Sequence, residues 1–275
     1  MNKLEIEIMP LEIQLNLLDS YNQGVPHIIK YMGSKRSILD FVIGAINDIY
    51  KEGQVCDLFA GTSVLSGALG RLIPIHSNDI QEYSSVLSKT YLSNYEWGQY
   101  SPTLLNDILN EVENYIENFR EMYPNMEYVY FNEMTMVEFI KLEKQQQKLL
   151  DYDFQNLPYH LFVKYYSGTY WSFKQCLWID GLRRVADNYE GTPIYYVILS
   201  SLMHSMSYCS QSTGHYAQYR DAKNESSKND ILNYRLREIR PYFEFKFNQL
   251  KEYLGSNNLE YTVTTLDYRE CLDAI

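Results

Sequence analysis

The stretch VCDLFAGTS, residues 55–63, decides the fold of this chain. Residues 55–59 predict a short buried strand, and residues 60–62 predict a tight turn. Ser63 is predicted to cap a helix that runs to about Leu69. A strand, a turn and a helix in this order open a doubly wound α/β sheet, which binds ligands at the carboxyl end of its strands.

The acid and the glycine of this stretch have a ligand-binding interpretation. Gly61 would let the backbone approach a ligand closely. Asp57 would receive the ammonium of an amino-acid moiety, and amides at the start of the helix would face its carboxylate. The stretch alone leaves a second interpretation open, a plain strand–turn–helix with a surface acid.

A second acid follows the next predicted strand. Residues 73–77 predict that strand, and Asn78 and Asp79 come directly after it. An acid in this place suits the two hydroxyls of a ribose. NAD and S-adenosylmethionine (SAM) both carry a ribose, so Asp79 does not separate them, and an exposed turn is the alternative.

The segment KYMGSK, residues 30–35, precedes the first strand. Ser34 is predicted to cap a helix whose apolar residues continue to Ile49. Tyr31 offers a ring to a ligand and Lys35 offers a cation to a carboxylate. A helix cap with a solvated lysine is the other interpretation.

Beyond residue 100 the pattern is mostly helical. Ser101 is predicted as an N-cap with Pro102 at the first helical position, and an apolar stripe follows to Phe119. Further helices are predicted over residues 134–150, 168–187, 194–208 and 234–254, an exposed loop over 210–228, and a strand over 260–264. Asp267 follows that last strand.

Composition restricts the function without deciding it. The chain has 275 residues, 45% hydrophobic, with 27 tyrosines and a formal net charge of -11. The total charge argues mildly against a nucleic-acid partner. Residues 164–249, however, carry 11 Lys or Arg against 8 Asp or Glu, so a locally basic surface fits an acidic protein.

The four cysteines are widely separated, and none forms a Cys-x-x-Cys pair. We therefore predict no zinc site and no disulfide framework. We see neither a signal peptide nor a membrane-spanning stretch, and expect a cytoplasmic protein.

Segments 30–35, 57–61 and 79 together resemble the Dam-like class of adenine-N6 DNA methyltransferases. Segments 167–176 (SGTYWSFKQC), 179–183 and 213–219 resemble parts of the insertion of this class. The resemblance spans about residues 27–270. It implies an α/β fold, with a Rossmann-like SAM-dependent methyltransferase sheet and a largely helical insertion.

The resemblance also implies the domain limits and the SAM site. A lead-in would cover residues 1–26, the SAM-binding domain 27–100 and 256–275, and the DNA target-recognition insertion 101–255. Asp79 would bind the ribose hydroxyls of SAM and Asp267 its adenine amino group. The other SAM-binding residues would be Tyr31, Lys35, Asp57, Phe59 and Gly61.

Double-stranded DNA is the implied substrate. His215 is expected near DNA or in a structural hydrogen bond. Arg220, Lys223 and Lys228 are expected either at phosphates or in a solvated loop. Arg183, Arg184, Arg235, Arg237 and Arg240 are weaker candidates.

The sequence departs from the class pattern at two places. Ser63 stands where the class often has a second glycine. The catalytic Asp-Pro-Pro-Tyr motif is absent, since no two prolines are adjacent, and we name no catalytic residue. We expect that a partner chain or a further C-terminal segment supplies the motif.

Two other functions remain. A catalytically silent DNA- or SAM-binding regulator would explain the missing motif. A dinucleotide oxidoreductase would need Gly-x-Gly-x-x-Gly, which the turn lacks.

Overall fold

The computed structural model describes residues 24–29, 33–155, 157–210 and 218–275. They form two compact units. The sheet unit comprises residues 24–27, 33–95 and 253–275. The helical unit comprises residues 28–29 and the described part of 96–252.

The described residues contain three strands and eleven α-helices. In chain order they are α1 (Leu39–Ile49), β1 (Val55–Asp57), α2 (Val64–Leu69), β2 (Ile75–Asn78), α3 (Glu82–Leu92), α4 (Leu104–Met122), α5 (Met136–Gln147), α6 (Leu161–Tyr166), α7 (Phe173–Asp187), α8 (Pro193–Cys209), α9 (Glu225–Arg235), α10 (Ile239–Tyr253), β3 (Tyr261–Thr264) and α11 (Tyr268–Asp273). Short 3-10 helices cover Lys35–Ile38, Trp97–Gln99 and Lys148–Asp151. None of the described helices is long and apolar enough to cross a membrane.

The three strands form one parallel sheet in the order β1-β2-β3. Val55 pairs with Ile75, and Ile75 pairs with Tyr261. All four residues of the central strand β2 are buried. Parallel strands place their carboxyl ends at the same edge of the sheet, which is the edge that binds ligands in open α/β folds. The α/β prediction and its three strands are confirmed.

The helix after the KYMGSK segment begins as expected. The Ser34 hydroxyl accepts a hydrogen bond from the amide of Arg36 and caps the 3-10 helix that leads into α1. In α1 only Leu39 and Ile43 are buried, while Phe41 and Ile49 are exposed. The apolar stripe read from the sequence is thus only partly covered.

Ser63 is the N-cap residue of α2, and the helix ends at Leu69 as predicted, but the Ser63 side chain makes no capping hydrogen bond. Its φ is 56° and its hydroxyl is fully buried, where it donates to the carbonyl of Ser84 and bonds the hydroxyl of Ser88. Ser88 also bonds Ser77 of β2. The hydroxyl that replaces a second glycine therefore ties the turn to α3 and β2.

Helix α4 has the apolar stripe predicted for it, with seven buried residues from Leu104 to Phe119. Its start differs from the prediction. Thr103 is the N-cap, and Ser101 accepts a hydrogen bond from the Thr103 amide in a preceding turn. Pro102 is therefore the residue before the N-cap instead of the first residue of the helix.

The segment SGTYWSFKQC builds the start of α7. Ser172 and Gln175 form a capping box, and the Phe173 amide donates to the Gln146 side chain at 2.7 Å. Gly168 has a φ of +69°, and a Cβ there would lie 2.6 Å from the carbonyl oxygen of Glu143. Only glycine fits this turn without a shift of the helix beside it.

The predicted loop at 210–228 and the predicted helix at 234–254 have different limits. Helix α9 begins at Glu225, inside the predicted loop, and includes Tyr234 and Arg235. Asn224 and Ser227 form its capping box. Helix α10 then begins only at Ile239.

Candidate functional site

Three carboxylates follow the three strands of the sheet. Asp57 ends β1, Asp79 directly follows β2, and Asp267 lies three residues beyond β3. Because the strands are parallel, all three acids lie at the carboxyl edge of the sheet. The family resemblance of the sequence predicts that each of these three acids contacts SAM.

Asp57 is buried and only half of its hydrogen-bonding capacity is used. Its Oδ1 accepts from Lys35 Nζ at 2.8 Å and from the Phe59 amide at 3.3 Å. Its Oδ2 is buried, and no residue that the structure describes donates to it. An unpartnered buried carboxylate oxygen is costly, and a ligand ammonium would satisfy it.

Lys35 lies on the 3-10 helix before α1 and faces the first turn. Its ammonium bonds Asp57 and the carbonyl oxygen of Phe59, and its side chain is 28% exposed. The cation therefore neutralises part of the buried acid while it stays reachable for a ligand carboxylate. Ser34, next to it, bonds the hydroxyl of Thr62 at 3.1 Å.

Asp79 holds the first turn in place. Its Oδ2 accepts from the amide of Gly61 at 2.8 Å, and its Oδ1 accepts from the amide of Gln81 at 3.0 Å. Gly61 has a φ of +55°, which a residue with a Cβ rarely adopts. Each carboxylate oxygen has two lone pairs, so both still have capacity for ribose hydroxyls.

Asp267 caps α11 with its side chain. Its Oδ1 accepts from the amide of Arg269 at 3.0 Å. The next residue, Tyr268, places its ring 5.6 Å from the ring of Phe59, which is 61% exposed. Two reachable rings thus stand beside the carboxyl edge, a setting that suits a flat heterocycle.

Asn78 joins the three segments that carry these acids, and sequence reasoning missed it. Its amide nitrogen donates to the carbonyls of Leu58 and Leu266, both at 3.1 Å. Its Oδ1 accepts from the Thr264 hydroxyl at 2.8 Å and the Leu266 amide at 3.1 Å. The signal in the sequence was a polar residue within the predicted end of a buried strand, which needs partners when it is buried.

The other end of the sheet offers a cavity that is separate from these residues. This cavity of about 820 Å³ is lined by Gly53, Pro74 and Tyr261, among others, at the amino ends of the strands. The three acids and Asn78 lie at the opposite ends. A ligand with an ammonium and a ribose fits the carboxyl edge on chemical grounds.

The residues at the carboxyl edge fit SAM. The orphaned oxygen of Asp57 matches its ammonium, Lys35 matches its carboxylate, and Asp79 has capacity for its hydroxyls. Tyr31, a further SAM candidate, lies outside the described residues.

The candidates for DNA contact differ in their surroundings. Arg220 is paired with Asp230, and the side chain of Lys223 is exposed. Lys228 is buried, and its ammonium donates to the carbonyl of Met134 at 2.6 Å and pairs with Glu225 at 2.7 Å. Lys228 therefore has a structural role and no place among the DNA contacts. His215 lies outside the described residues.

Most of the weaker arginine candidates are engaged within the helical unit. Arg235 is buried and bonds both carboxylate oxygens of Glu143 and the carbonyls of Thr169 and Tyr170. It fixes the glycine turn before α7. Arg183 pairs with Asp187, and Arg240 pairs with Glu113 and Glu244.

The sheet is parallel and an acid follows each of its strands, at the edge where open α/β sheets bind ligands. The sequence profile of the D12 class N6 adenine-specific DNA methyltransferases matches residues 31–177, more than half of the chain. The chain belongs to this family, and the predicted Dam-like resemblance is confirmed. No curated protein and no solved structure matches the chain significantly.

Proposed function

We propose that this chain is the SAM-binding and DNA-recognition part of an adenine-N6 DNA methyltransferase that acts on duplex DNA. The family supports methylation of DNA adenine. The observation that carries the SAM site is the buried Oδ2 of Asp57, which none of the described residues satisfies. SAM, when bound, supplies the methyl group that is transferred.

The chain's own residues would bind and orient this cofactor. Asp57 would accept hydrogen bonds from the ammonium, and Lys35 would donate to the carboxylate. Asp79 would accept from the ribose hydroxyls and Asp267 from the adenine amino group. Phe59 would add an apolar contact.

The DNA target would be recognised by residues 101–255, the proposed insertion. Arg220 and Lys223 would contact phosphates, which position the protein but carry no sequence information. An adenine inside a duplex is out of reach of the methyl donor, so the target base would be flipped out of the stack.

The groups that activate the adenine amino group would come from outside these 275 residues. The sequence has no Asp-Pro-Pro-Tyr motif. A partner chain or a C-terminal continuation would supply it. Strand β1 has one neighbour in the described sheet, and its other edge could pair with a strand that leads to the motif.

Calorimetric titration with SAM tests the proposed site, with NAD as the control ligand. We expect the chain to bind SAM and not NAD. Asp57→Asn should weaken SAM binding by at least about tenfold, or about 1.4 kcal/mol, because the ammonium loses its charged partner. Asp48→Asn, at an exposed acid of α1, is the matched control and should bind like the unchanged chain.

Equal SAM affinity in the Asp57→Asn and Asp48→Asn variants would contradict the assigned pocket. Absence of SAM binding to the unchanged chain would call for the same titration with the segment that carries the catalytic motif. Absence of binding there too would overturn the proposal.

A catalytically silent regulator that binds DNA or SAM is the second candidate function. The missing Asp-Pro-Pro-Tyr motif favours it. The regulator and the methyltransferase component differ in one outcome. A regulator would yield no N6-methyladenine, whichever catalytic segment is added.

A further inference from the structure

Two thiols and one imidazole meet behind the carboxyl edge of the sheet. Cys56 lies on β1, His76 on β2 and Cys271 on α11. Their Sγ and ring nitrogen atoms all lie within 4.8 Å of one another. His76 and Cys271 are buried and Cys56 is half-buried, which leaves the cluster reachable from solvent on one side.

The donor atoms are of the kind that Zn²⁺ prefers. Two cysteine sulfurs and one histidine nitrogen form a borderline-soft set, and zinc takes four ligands at about 2.0–2.3 Å in a tetrahedron. Ligand atoms around such an ion are about 3.3–3.8 Å apart by this geometry. The observed separation of Cys271 Sγ from His76 Nε2 is 3.8 Å.

Thr264 lies beside the cluster and holds its imidazole by a hydrogen bond. Its hydroxyl donates to Asn78 Oδ1 at 2.8 Å, so the lone pairs of its oxygen are left to face His76 Nε2, also at 2.8 Å. An ion bound by the three side chains would replace this hydrogen bond at Nε2, and a water molecule would take its fourth position. The hydroxyl is held in its orientation by Asn78, which gives the site an outer hydrogen-bonded support.

We propose that Cys56, His76 and Cys271 bind one Zn²⁺ ion. Each thiol gives its proton to solvent as it binds. His76 Nε2, which donates to Thr264 without the ion, gives up its proton through solvent exchange, and the neutral ring then carries its single proton on Nδ1. The three ligands are 20 and 195 residues apart in the sequence, so no spacing motif reveals them. The sequence prediction of no zinc site rested on the missing Cys-x-x-Cys pair, which a site built from three separate elements does not need.

The ion would link the helix that carries Asp267 to the first two strands. Cys271 lies four residues after Asp267, the N-cap of α11, and the other two ligands lie on β1 and β2. Bound Zn²⁺ would therefore stabilise the position of α11 against the sheet. This inference does not rest on the proposed function, because its primary readout is the bound ion itself.

Cobalt binding to the full chain tests the site directly. Co²⁺ replaces Zn²⁺ in such sites and gives thiolate-to-cobalt charge-transfer bands and intense tetrahedral d–d bands. With the thiols kept reduced, we expect one Co²⁺ per chain, displaced by Zn²⁺ with loss of the colour. Zinc content after dialysis should be one ion per chain.

The variants separate this cluster from the other thiols. Cys271→Ser and Cys56→Ser should each lose the charge-transfer intensity in part and weaken Co²⁺ binding by at least about tenfold. Cys209→Ser removes a thiol of the helical unit and should bind like the unchanged chain.

No thiolate band and no retained zinc in the unchanged chain would overturn the inference. A folded Cys271→Ser variant that binds Co²⁺ as tightly as the Cys209→Ser variant would overturn it as well. If the Cys271→Ser chain does not fold, the titration of the unchanged chain and of Cys56→Ser still decides.

Discussion

At the scale of single residues, one amide side chain fixes the site. Asn78 bonds the segment after β1 through Leu58 and the segment after β3 through Thr264 and Leu266. Every hydrogen-bonding group of its side chain is used inside the sheet unit. Asn78 therefore positions the acids without facing a ligand itself.

Asp79→Ala should abolish SAM binding, because the ribose hydroxyls lose their acceptor. The structure adds an effect on stability, since this carboxylate also accepts from the amides of Gly61 and Gln81. We expect the free energy of unfolding to fall by about 1–3 kcal/mol. Urea unfolding and calorimetry with SAM measure the two effects.

Glu82→Ala is the control for this variant, since it removes an exposed acid from the first turn of α3. It should leave both quantities unchanged. SAM affinity that survives in a folded Asp79→Ala chain would exclude Asp79 from the pocket.

The sequence predicts some of these residues and not others. Asp57, Asp79 and Asp267 are visible because each follows a β-rich run, and parallel strands bring such positions to one edge. Asn78 is not, because its partners lie up to 188 residues away. The burial of Lys228 is hidden for the same reason, since its acceptor belongs to Met134.

At the scale of secondary-structure elements, Asp180 of α7 holds the start of α6. Its two carboxylate oxygens accept from the amides of Phe162 and Val163 at 3.0 and 2.9 Å. Burial raises the pKa of Asp180 to about 7, although these two hydrogen bonds act in the opposite direction. The acid thus titrates near neutral pH while it holds a helix start.

The raised pKa of Asp180 predicts a pH-dependent stability. Between about pH 4 and pH 7 the folded chain holds a proton that the unfolded chain has released. The stability should therefore fall as the pH rises through this window, by up to about 1.4 kcal/mol per pH unit, and level off above it. Urea unfolding between pH 5 and 8 measures this slope.

Asp180→Asn cannot titrate, and its stability should lack this contribution. The free energy of unfolding of the unchanged chain minus that of the variant should fall as the pH rises from 5 to 7, and level off above pH 7. A constant difference at every pH would mean that Asp180 does not titrate in this range.

The segment before α9 is the element proposed to meet DNA. Replacement of both Arg220 and Lys223 by Gln should weaken DNA binding, because two phosphate contacts are lost. The slope of log K against log salt should become shallower by about 1.8, at about 0.9 for each contact. The ion pair of Arg220 with Asp230 is half-exposed, so its loss should affect stability little.

Lys144→Gln with Lys148→Gln is the charge-matched control, because both lysines are exposed in an acidic part of the sequence. This pair should leave the salt slope unchanged. An identical slope in the Arg220/Lys223 variant would remove the segment from the DNA interface.

Elements with a strong apolar period are predictable, and those fixed by polar caps are less so. The stripe of α4 gives its position to within a few residues, because seven of its residues face the core. Helix α9 is polar and begins at a capping box of Asn224 and Ser227, which looks like loop sequence. The start of α4 was misplaced because Ser101 and Thr103 are both suitable N-cap residues.

At the scale of the whole molecule, the proposed enzyme needs a second source of catalytic groups. The chain alone should produce no N6-methyladenine in duplex DNA. Addition of the segment with the Asp-Pro-Pro-Tyr motif should allow methylation, and Asp57→Asn should lower its rate at limiting SAM by at least about tenfold. Tritium transfer from labelled SAM to DNA measures this.

Methylation by the isolated chain would contradict the proposal that the catalytic groups come from another segment. A silent complex that nevertheless binds SAM and DNA would favour the regulatory function.

The family and the α/β class were predictable at this scale because local motifs carry them. The division into two units was visible only as a change from strand-like to helical patterns near residue 100.

The connectivity of the sheet has a consequence for how the protein is made. Thr264 of β3 and Asn78 of β2 are hydrogen-bonded across 186 residues of chain. A ribosome that has just released β2 must therefore add most of the helical unit before the third strand exists. The helical unit is nearly continuous in sequence and can fold as it leaves the ribosome. During that time β1 and β2 lack their third strand, and the apolar helices beside them are incompletely covered. During that interval the nascent sheet unit is the part of the chain that a chaperone would hold.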